Sequence, residues 1–287
     1  MSGRDITEAV RSGHLLRLRR DRYARVPIDE DVAEAVRVGG HLSCLSLLKS
    51  MGIFVLVCTG LHVQITQGTS RIRKPKFRTT RLHWNPVREC ETIHAAHLHD
   101  ALRQAIRCQS ARAALATLDS VLHHKLMTLN QLEGVFSTLP ARYGVLLSLV
   151  DPTAASGPET FMRLILRALG LRYETQVHLP GVGYVDFLVE GWLIIECDSK
   201  EWHEGWDKQV EDRHRDIAAA KLGCVTIRPL ASEILHDSAR VRESVASVIE
   251  VLGPRFMPDA VRNSSKTRSS VSCTRAKATI LAKLEEL

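Results

Sequence analysis

The sequence has few aromatic residues and no long apolar run. Aromatic residues make up 5% of the 287 residues, which leaves few flat surfaces on which unpaired bases could stack. An RNA-directed nuclease is therefore the weakest of the functions considered. No window of about 18 apolar residues occurs, so we expect no transmembrane helix. The first ten residues are polar and charged, which predicts that they are not a secretory signal and that the protein is cytoplasmic.

The cysteines lack the spacing of a zinc-binding motif. There are seven of them, and no two form a Cys-x-x-Cys pair. An odd number without that spacing is typical of reduced thiols in a cytoplasmic protein. The pattern therefore argues against a structural zinc site.

Charge is distributed unevenly along a chain whose net charge is +7. Residues 1–150 contain 21 Lys and Arg against 12 Asp and Glu, whereas residues 151–252 contain 11 against 17. Residues 253–287 are basic again, with 7 against 3. A basic front half favours binding to a polyanion such as DNA and hence a nucleoid-associated protein. The acidic middle segment is compatible with a metal site.

Residues 184–203 carry the strongest functional pattern, YVDFLVEGWLIIECDSKEWH. Two short apolar strands flank a turn at Glu190-Gly191, which predicts a β-hairpin. Asp186 near the start of the first strand and Glu196 near the end of the second would face each other across it. Asp198 shares the face of Glu196, because side chains on a strand alternate. Carboxylates gathered at one edge suit Mg²⁺ or Mn²⁺ better than Zn²⁺, although solvated carboxylates at strand ends are the alternative.

The same residues resemble the core of the PD-(D/E)xK nucleases. The narrower resemblance is to the domain-of-unknown-function family related to the very-short-patch-repair (Vsr-like) endonucleases, and it covers about residues 156–252. Five blocks carry it in order: Ser156-Gly-Pro158-Glu159, Val185-Asp186-Phe187, Ile195-Glu196-Cys197-Asp198-Ser199-Lys200, His203, and Asp212-Arg213-His214-Arg215-Asp216. The strand Val225-Thr226-Ile227-Arg228 follows at the spacing of that family.

The resemblance implies a role for each matching residue. Asp186 and Glu196 would ligate the metal, and Glu159 would assist through a water or a second metal. Asp198 stands where many nucleases of the superfamily have a catalytic lysine, a departure that the narrower family shares. Lys200 or His203 would then supply the missing positive charge or the proton transfer. A nuclease fold that has lost its activity is the alternative.

The N-terminal residues predict a DNA-binding element. Residues 4–12 have a helical pattern that ends at Gly13, and residues 14–26 form an alternating basic segment typical of a two-stranded wing. This order resembles the winged-helix domain of AbiEi-type antitoxins, although its usual first helices are missing from the sequence. Arg17, Arg19, Arg20 and Arg22 are the candidate DNA contacts here.

A second basic run is predicted to bind phosphate. No acidic residue occurs between positions 69 and 82, a stretch that includes Arg73, Lys74 and Lys76. For this run, as for the basic segment before it, a solvated surface face is the alternative.

These observations predict an α/β protein, α+β overall, with a restriction-endonuclease-like PD-(D/E)xK core behind a winged-helix or helical domain. The predicted segments are a partial winged helix at 1–27, an AbiEi-like domain at 28–150, a linker at 151–158, a nuclease domain at 159–252 and a basic tail at 253–287. The nuclease domain should follow the element order α-β-β-β-α-β-α.

Two functions fit these expectations. The first is a divalent-metal-dependent DNA endonuclease or nickase, acting in DNA repair or in defence against foreign DNA. The second is a DNA-binding regulator or antitoxin of a type IV-like toxin-antitoxin system, whose nuclease-like half is inactive and binds a protein partner.

Overall fold

The computed structural model describes residues 2–76, 79–86, 94–198 and 206–256. These residues form eleven α-helices and nine strands in three sheets, which confirms a mixed α and β protein. The chain divides into two compact units, the first made of residues 1–114 and 127–147 and the second of residues 115–126 and 148–287. None of the helices in the described ranges is both long enough and apolar enough to cross a bilayer.

The first unit begins with the predicted helix and basic hairpin. Helix α1 (Gly3–Arg11) precedes strands β1 (Leu15–Arg19) and β2 (Arg22–Arg25), which pair antiparallel. A capping box starts α1, because the Ser2 hydroxyl accepts from the Asp5 N–H and the Asp5 carboxylate accepts from the Ser2 N–H.

The rest of this unit surrounds a three-stranded sheet with the order β3-β4-β5. Its remaining elements, in chain order, are α2 (Glu30–Val38), β3 (His41–Leu42), α3 (Cys44–Ser50), β4 (Leu61–Thr66), β5 (Thr80–Asn85), α4 (Leu98–Cys108), α5 (Ala111–His123), α6 (Leu129–Phe136), a 3₁₀ helix (Ala141–Tyr143) and α7 (Gly144–Leu147). Helix α5 begins in the first unit and ends in the second. Thr128 caps α6, because its hydroxyl accepts from the Gln131 N–H and the Gln131 side chain accepts from the Thr128 N–H.

Strand β4 is buried on both faces. Leu61, Val63 and Ile65 pack into the apolar core of this unit with residues of α2, β3, α3 and α4. His62 and Gln64 alternate with them and are also buried, at 7% and 0% exposure. Because side chains on a strand alternate, these two polar residues share the opposite face.

Gly40 is a close-packed position next to this strand. A Cβ atom at residue 40 would lie 2.3 Å from the Gln64 carbonyl oxygen and 2.6 Å from Val63 Cγ1. We expect Gly40→Ala to lower the free energy of unfolding by about 1–3 kcal/mol, because the backbone of β4 must shift. Denaturant unfolding measures this loss.

The matched control is Gly134→Ala in α6, where a Cβ atom meets nothing within 4 Å. This change should raise the free energy of unfolding by about 0.5–1 kcal/mol. Equal effects of the two changes would contradict the packing argument.

The second unit has the predicted order of elements. Its elements after α5 are α8 (Gly157–Ala168), β6 (Tyr173–Leu179), β7 (Gly183–Val189), β8 (Leu193–Ile195), α9 (Trp206–Lys221), β9 (Val225–Ile227), α10 (Ala231–His236) and α11 (Ser238–Phe256). The sheet order is β6-β7-β8-β9, with two antiparallel pairs followed by the parallel pair of β8 and β9. The order α-β-β-β-α-β is as predicted, and two helices, α10 and α11, follow where one was expected.

The predicted hairpin is present, and its turn has the expected backbone. Glu190 and Gly191 both have positive φ, at 51° and 76°. Two consecutive residues of that kind match the right-handed twist of an antiparallel pair. The ladder pairs Val189 with Leu193 and Phe187 with Ile195.

A buried ion pair ties residues 115–126 to α8. Arg163 donates to Asp119 Oδ2 at 2.6 Å and to the Leu149 carbonyl oxygen at 2.7 Å. Asp119 also accepts from the Asp151 N–H at 2.7 Å and from the Thr160 hydroxyl at 2.8 Å. These bonds connect the end of α5 to α8 within the second unit.

Candidate active site

The hairpin brings Asp186 and Glu196 to the same edge of the sheet. One step beyond the last ladder pair, Phe187 with Ile195, the register places Asp186 opposite Glu196. The Cys197 N–H donates to Asp186 Oδ2 at 2.8 Å, which orients the carboxylate. Continuation of this register gives the arrangement that the sequence pattern predicts for the two residues.

Glu159 approaches the same edge from α8. Ser156 caps this helix, and its hydroxyl donates to Glu159 Oε1 at 2.8 Å while the Ala155 N–H donates to Oε2 at 3.0 Å. The Gln176 amide nitrogen lies 3.1 Å from Glu159 Oε2 and 3.4 Å from Asp186 Oδ1. A single amide on β6 thus connects both carboxylates, and the predicted grouping of Glu159 with Asp186 is present.

Gln176 has a strained backbone at this point. Its φ is +52°, although the residue lies inside a strand and is not glycine. The ladder pairs Thr175 with Phe187 and Val177 with Val185, so Gln176 lies opposite Asp186. Strain of this kind costs on the order of 1–3 kcal/mol and clusters at functional sites.

The environment raises the pKa of two of these carboxylates. Burial raises the pKa of Glu159, and the nearby negative charge of Asp186 raises it further. The hydrogen bonds from Ala155 and Ser156 lower it in part. Burial also raises the pKa of Asp186. The hydrogen bond from the Cys197 N–H lowers this pKa, and the negative charge of Glu196 raises it. Raised pKa values at a cluster of acids are typical of catalytic and cation-binding sites.

Two arginines hold the carboxylate of Glu196. Arg215 on α9 donates to Oε1 at 2.6 Å, and Arg228 after β9 donates to Oε2 at 2.8 Å. Arg228 also binds Asp216 through two hydrogen bonds, of 2.8 and 2.6 Å, which raise the pKa of its guanidinium. Both arginines are about one quarter exposed, at 26% and 24%.

The other predicted catalytic residues lie farther along the chain. The Asp198 N–H donates to the Pro229 carbonyl oxygen at 3.3 Å, and its carbonyl oxygen accepts from the Ala231 N–H at 2.9 Å. These bonds extend the pairing of the β8 and β9 segments past Arg228. Lys200 and His203 lie outside the described residues, so their predicted roles stay predictions.

Glu159, Asp186 and Glu196 do not bring three ligand atoms within 4.8 Å of one another in this structure. Across the described ranges, the one group of three or more His, Cys, Asp or Glu with ligand atoms within 4.8 Å of one another consists of Cys44, His62, His83 and Cys108. It lies in the first unit and contains sulfur and nitrogen donors. It is therefore not a site for the predicted Mg²⁺ or Mn²⁺.

The predicted DNA-binding residues form a basic surface of the first unit. Arg73 donates to the Leu18 carbonyl oxygen at 3.0 Å, and Arg19 donates to the carbonyl oxygens of Val38 and Arg71. These bonds join the basic run at 71–76 to the hairpin. Of the seven predicted residues, only Arg19 is partly buried, and six are exposed: Arg17, Arg20, Arg22, Arg73, Lys74 and Lys76. Arg19 and Arg73 use their guanidinium groups to hold it together.

Sequence reasoning gave no role to three residues of the candidate active site. Arg215 and Arg228 fall within quoted blocks, but nothing in their spacing shows that both reach Glu196. Gln176 is one of several polar residues in β6, and only its position opposite Asp186 could have pointed to it.

No protein-family model matches this chain, and it has no match among the curated proteins or the solved structures that were compared.

Proposed function

We propose that the second unit hydrolyses phosphodiester bonds of DNA with the help of Mg²⁺ or Mn²⁺. The observation that carries the proposal is the placement of Asp186 opposite Glu196, with Glu159 beside Asp186. The resemblance of residues 156–252 to the Vsr-like nucleases supports the same assignment.

The donor set fits the proposed ion. Magnesium is commonly held by one or two carboxylates together with waters and substrate phosphate oxygens, and Asp186 and Glu196 provide two carboxylates at one edge. Such an ion would polarise the phosphate and lower the pKa of a bound water. Glu159 is placed to accept a proton at this site, and Gln176 keeps its carboxylate directed towards Asp186.

Arg215 and Arg228 are candidates for the cationic role that a lysine has elsewhere in the superfamily. The superfamily places a lysine where this chain has Asp198. In this protein, two guanidinium groups bind the carboxylate of Glu196 at 2.6 and 2.8 Å. We propose that one of them stabilises the charge on the scissile phosphate, as cationic groups do in phosphoryl transfer.

Incubation of the purified protein with supercoiled plasmid tests the proposal. With Mg²⁺ or Mn²⁺ we expect conversion to nicked or linear DNA, and with EDTA we expect none. The nuclease proposal is wrong if plasmid and mismatched duplexes stay intact under every metal condition.

The ion-pair network favours one alternative. In this structure, the carboxylate of Glu196 already has two cationic partners, and Asp216 binds one of them. A site in which arginines occupy both carboxylate oxygens of Glu196 suits an inactive nuclease fold in a DNA-binding regulator or antitoxin. That protein would bind its own promoter and would be indifferent to changes at Asp186 and Glu196.

Both functions require DNA binding, which we assign to the exposed arginines of the hairpin. Replacing Arg17, Arg20 and Arg22 together by Gln should weaken binding to duplex DNA. If each contacts one phosphate, the slope of log K against log salt falls by about 0.9 per arginine. Fluorescence anisotropy at several salt concentrations measures both quantities.

The matched control removes the same charge elsewhere. Arg240, Arg242 and Arg255 are exposed on α11 in the second unit, and their triple replacement by Gln should leave the slope nearly unchanged. An equal loss in both triple variants would mean that net charge alone, and not the hairpin, determines binding.

A further inference from the structure

Four side chains that are far apart in the sequence meet in the first unit. Cys44, His62, His83 and Cys108 each offer one ligand atom, and all four atoms lie within 4.8 Å of one another. Cys44 and His62 are buried, and the other two are partly buried. In a tetrahedral zinc site with Zn–S of about 2.3 Å and Zn–N of about 2.0–2.1 Å, neighbouring ligand atoms are roughly 3.3–3.8 Å apart. The group therefore has the composition and nearly the size of a tetrahedral site.

Each ligand comes from a different element. Cys44 is the first residue of α3, and Cys108 is the last residue of α4. His62 lies on β4 and His83 on β5, its parallel neighbour. Four elements converging on one point provide a rigid frame, which structural metal sites need.

Hydrogen bonds hold this frame in place. The Ser43 N–H donates to the His62 carbonyl oxygen at 3.1 Å, and the His62 N–H donates to the Ser46 hydroxyl at 2.9 Å. The Ser43 hydroxyl donates to Gln104 of α4 at 2.8 Å. The start of α3 is thereby fixed to both β4 and α4, next to the four ligand atoms.

The backbone of Cys44 is strained. Its φ is +52°, in the region that favours glycine. A cysteine held there at a cost of about 1–3 kcal/mol points to a role for its thiol, because such strain persists where the surroundings or a function require it.

The two histidines already face each other. His62 Nδ1 and His83 Nε2 are 3.0 Å apart, and their rings are stacked with centroids 5.2 Å apart. These two nitrogens can either share a hydrogen bond or bind one ion together.

We propose that Cys44, His62, His83 and Cys108 bind a Zn²⁺ ion that stabilises the first unit. Two thiolates and two neutral imidazoles form a common ligand set of structural zinc, and their net charge balances the ion. Four protein ligands fill a tetrahedral coordination sphere and leave no open position for water or substrate, so the site is structural and not catalytic. The missing Cys-x-x-Cys pair argued against such a site; in this proposal, tertiary contacts and not chain neighbours assemble the ligands.

Metal analysis of the full chain tests this proposal. The protein should be purified without a metal-binding tag, supplied with zinc, dialysed, and measured by plasma mass spectrometry. We expect one zinc ion per chain. Replacing zinc by Co²⁺ should give the visible absorption of a tetrahedral cobalt site with thiolate ligands, and removal of zinc by a chelator should lower Tm.

Variants locate the ion. Cys44→Ser and Cys108→Ser should each weaken zinc binding by more than the 10–100-fold that loss of an outer-sphere partner costs. Cys58→Ser is the matched control, because Cys58 is a free cysteine of the same unit outside the group and its thiol donates to the Gly60 carbonyl oxygen at 3.3 Å. This control should keep the zinc and the cobalt absorption.

Three results would overturn the proposal. One is a zinc-supplied wild-type protein that holds no zinc after dialysis and shows no tetrahedral cobalt absorption. Another is a disulfide between Cys44 and Cys108, detected by mass spectrometry of the unreduced protein. The third is zinc that stays bound in both serine variants. The wild-type cobalt spectrum decides the matter even if the variants fail to fold.

Discussion

Asp186→Asn and Glu196→Gln should each abolish metal-dependent nicking of supercoiled plasmid. Both changes remove one carboxylate charge and leave the size of the side chain almost unaltered. Loss of an outer-sphere partner of a metal typically costs about 10–100-fold in activity, and loss of a direct ligand should exceed that. In Asp186→Asn, the amide oxygen can still accept from the Cys197 N–H, so we expect the fold to persist.

The control for these variants is Glu174→Gln. Glu174 is exposed on β6, opposite Leu188 in the ladder, and the change from carboxylate to amide is the same. It should nick plasmid like the wild type. Duplex binding, measured alongside, should be the same in all three variants and the wild type, because the exposed arginines lie in the other unit.

The outcomes separate the two functions. Wild-type nicking with inactive Asp186→Asn and Glu196→Gln supports the nuclease. Equal nicking by wild type and both variants moves the active site elsewhere in the chain. An intact plasmid, together with specific promoter binding that neither change affects, favours the regulator.

Arg163→Met should lower the free energy of unfolding by about 3–5 kcal/mol. Arg163 and Asp119 have side-chain exposures of 3% and 1%, and their charged atoms are 2.6 Å apart. Removal of one partner leaves an uncompensated buried charge, which is the most costly way to break such a pair. Denaturant unfolding monitored by circular dichroism measures the loss.

This loss should shrink in acid. Burial raises the pKa of Asp119 to about 6, although Arg163 opposes the rise. An acid whose pKa is higher in the folded state than the value of about 4 in the unfolded chain contributes most to stability below pH 4. That contribution is lost as the pH rises from about 4 to about 6. Without Arg163 the pKa of Asp119 rises further. The unfolding free energy that Arg163→Met loses relative to the wild type should therefore be smaller at pH 5 than at pH 8.

Two further variants check the reason for the loss. Arg240→Met removes an arginine that is 70% exposed and 3.7 Å from Glu233, and it should cost under about 1 kcal/mol. The double variant Asp119→Leu with Arg163→Met should recover part of the stability, because no unpaired charge stays buried. A double variant less stable than Arg163→Met alone would contradict this explanation.

Local patterns predicted the secondary structure well. The basic hairpin, the capping of α6 by Thr128 and the order of elements in the second unit all follow from short-range signals such as glycine, capping residues and alternation. The exact register did not follow from the turn alone. A two-residue turn at Glu190-Gly191 would pair Val189 with Trp192, whereas the ladder pairs Val189 with Leu193, and this one-residue difference places Asp186 opposite Glu196.

Long-range pairing lay beyond those signals. Residues 115–126 join the second unit because Asp119 bonds to three residues more than 30 positions away. Similarly, Arg215 and Arg228 reach Glu196 only because α9 and β9 pack beside β8.

The sequence by itself determined the local elements, the uneven charge and the carboxylates of one hairpin, because each depends on residues a few positions apart. Only the tertiary structure decided which cations hold Glu196 and which amide joins Glu159 to Asp186. It alone brought Cys44, His62, His83 and Cys108 together from four separate elements. The physical reason is that side chains distant in the chain become neighbours only after helices and strands bury their apolar faces against each other, and no spacing along the chain records that packing.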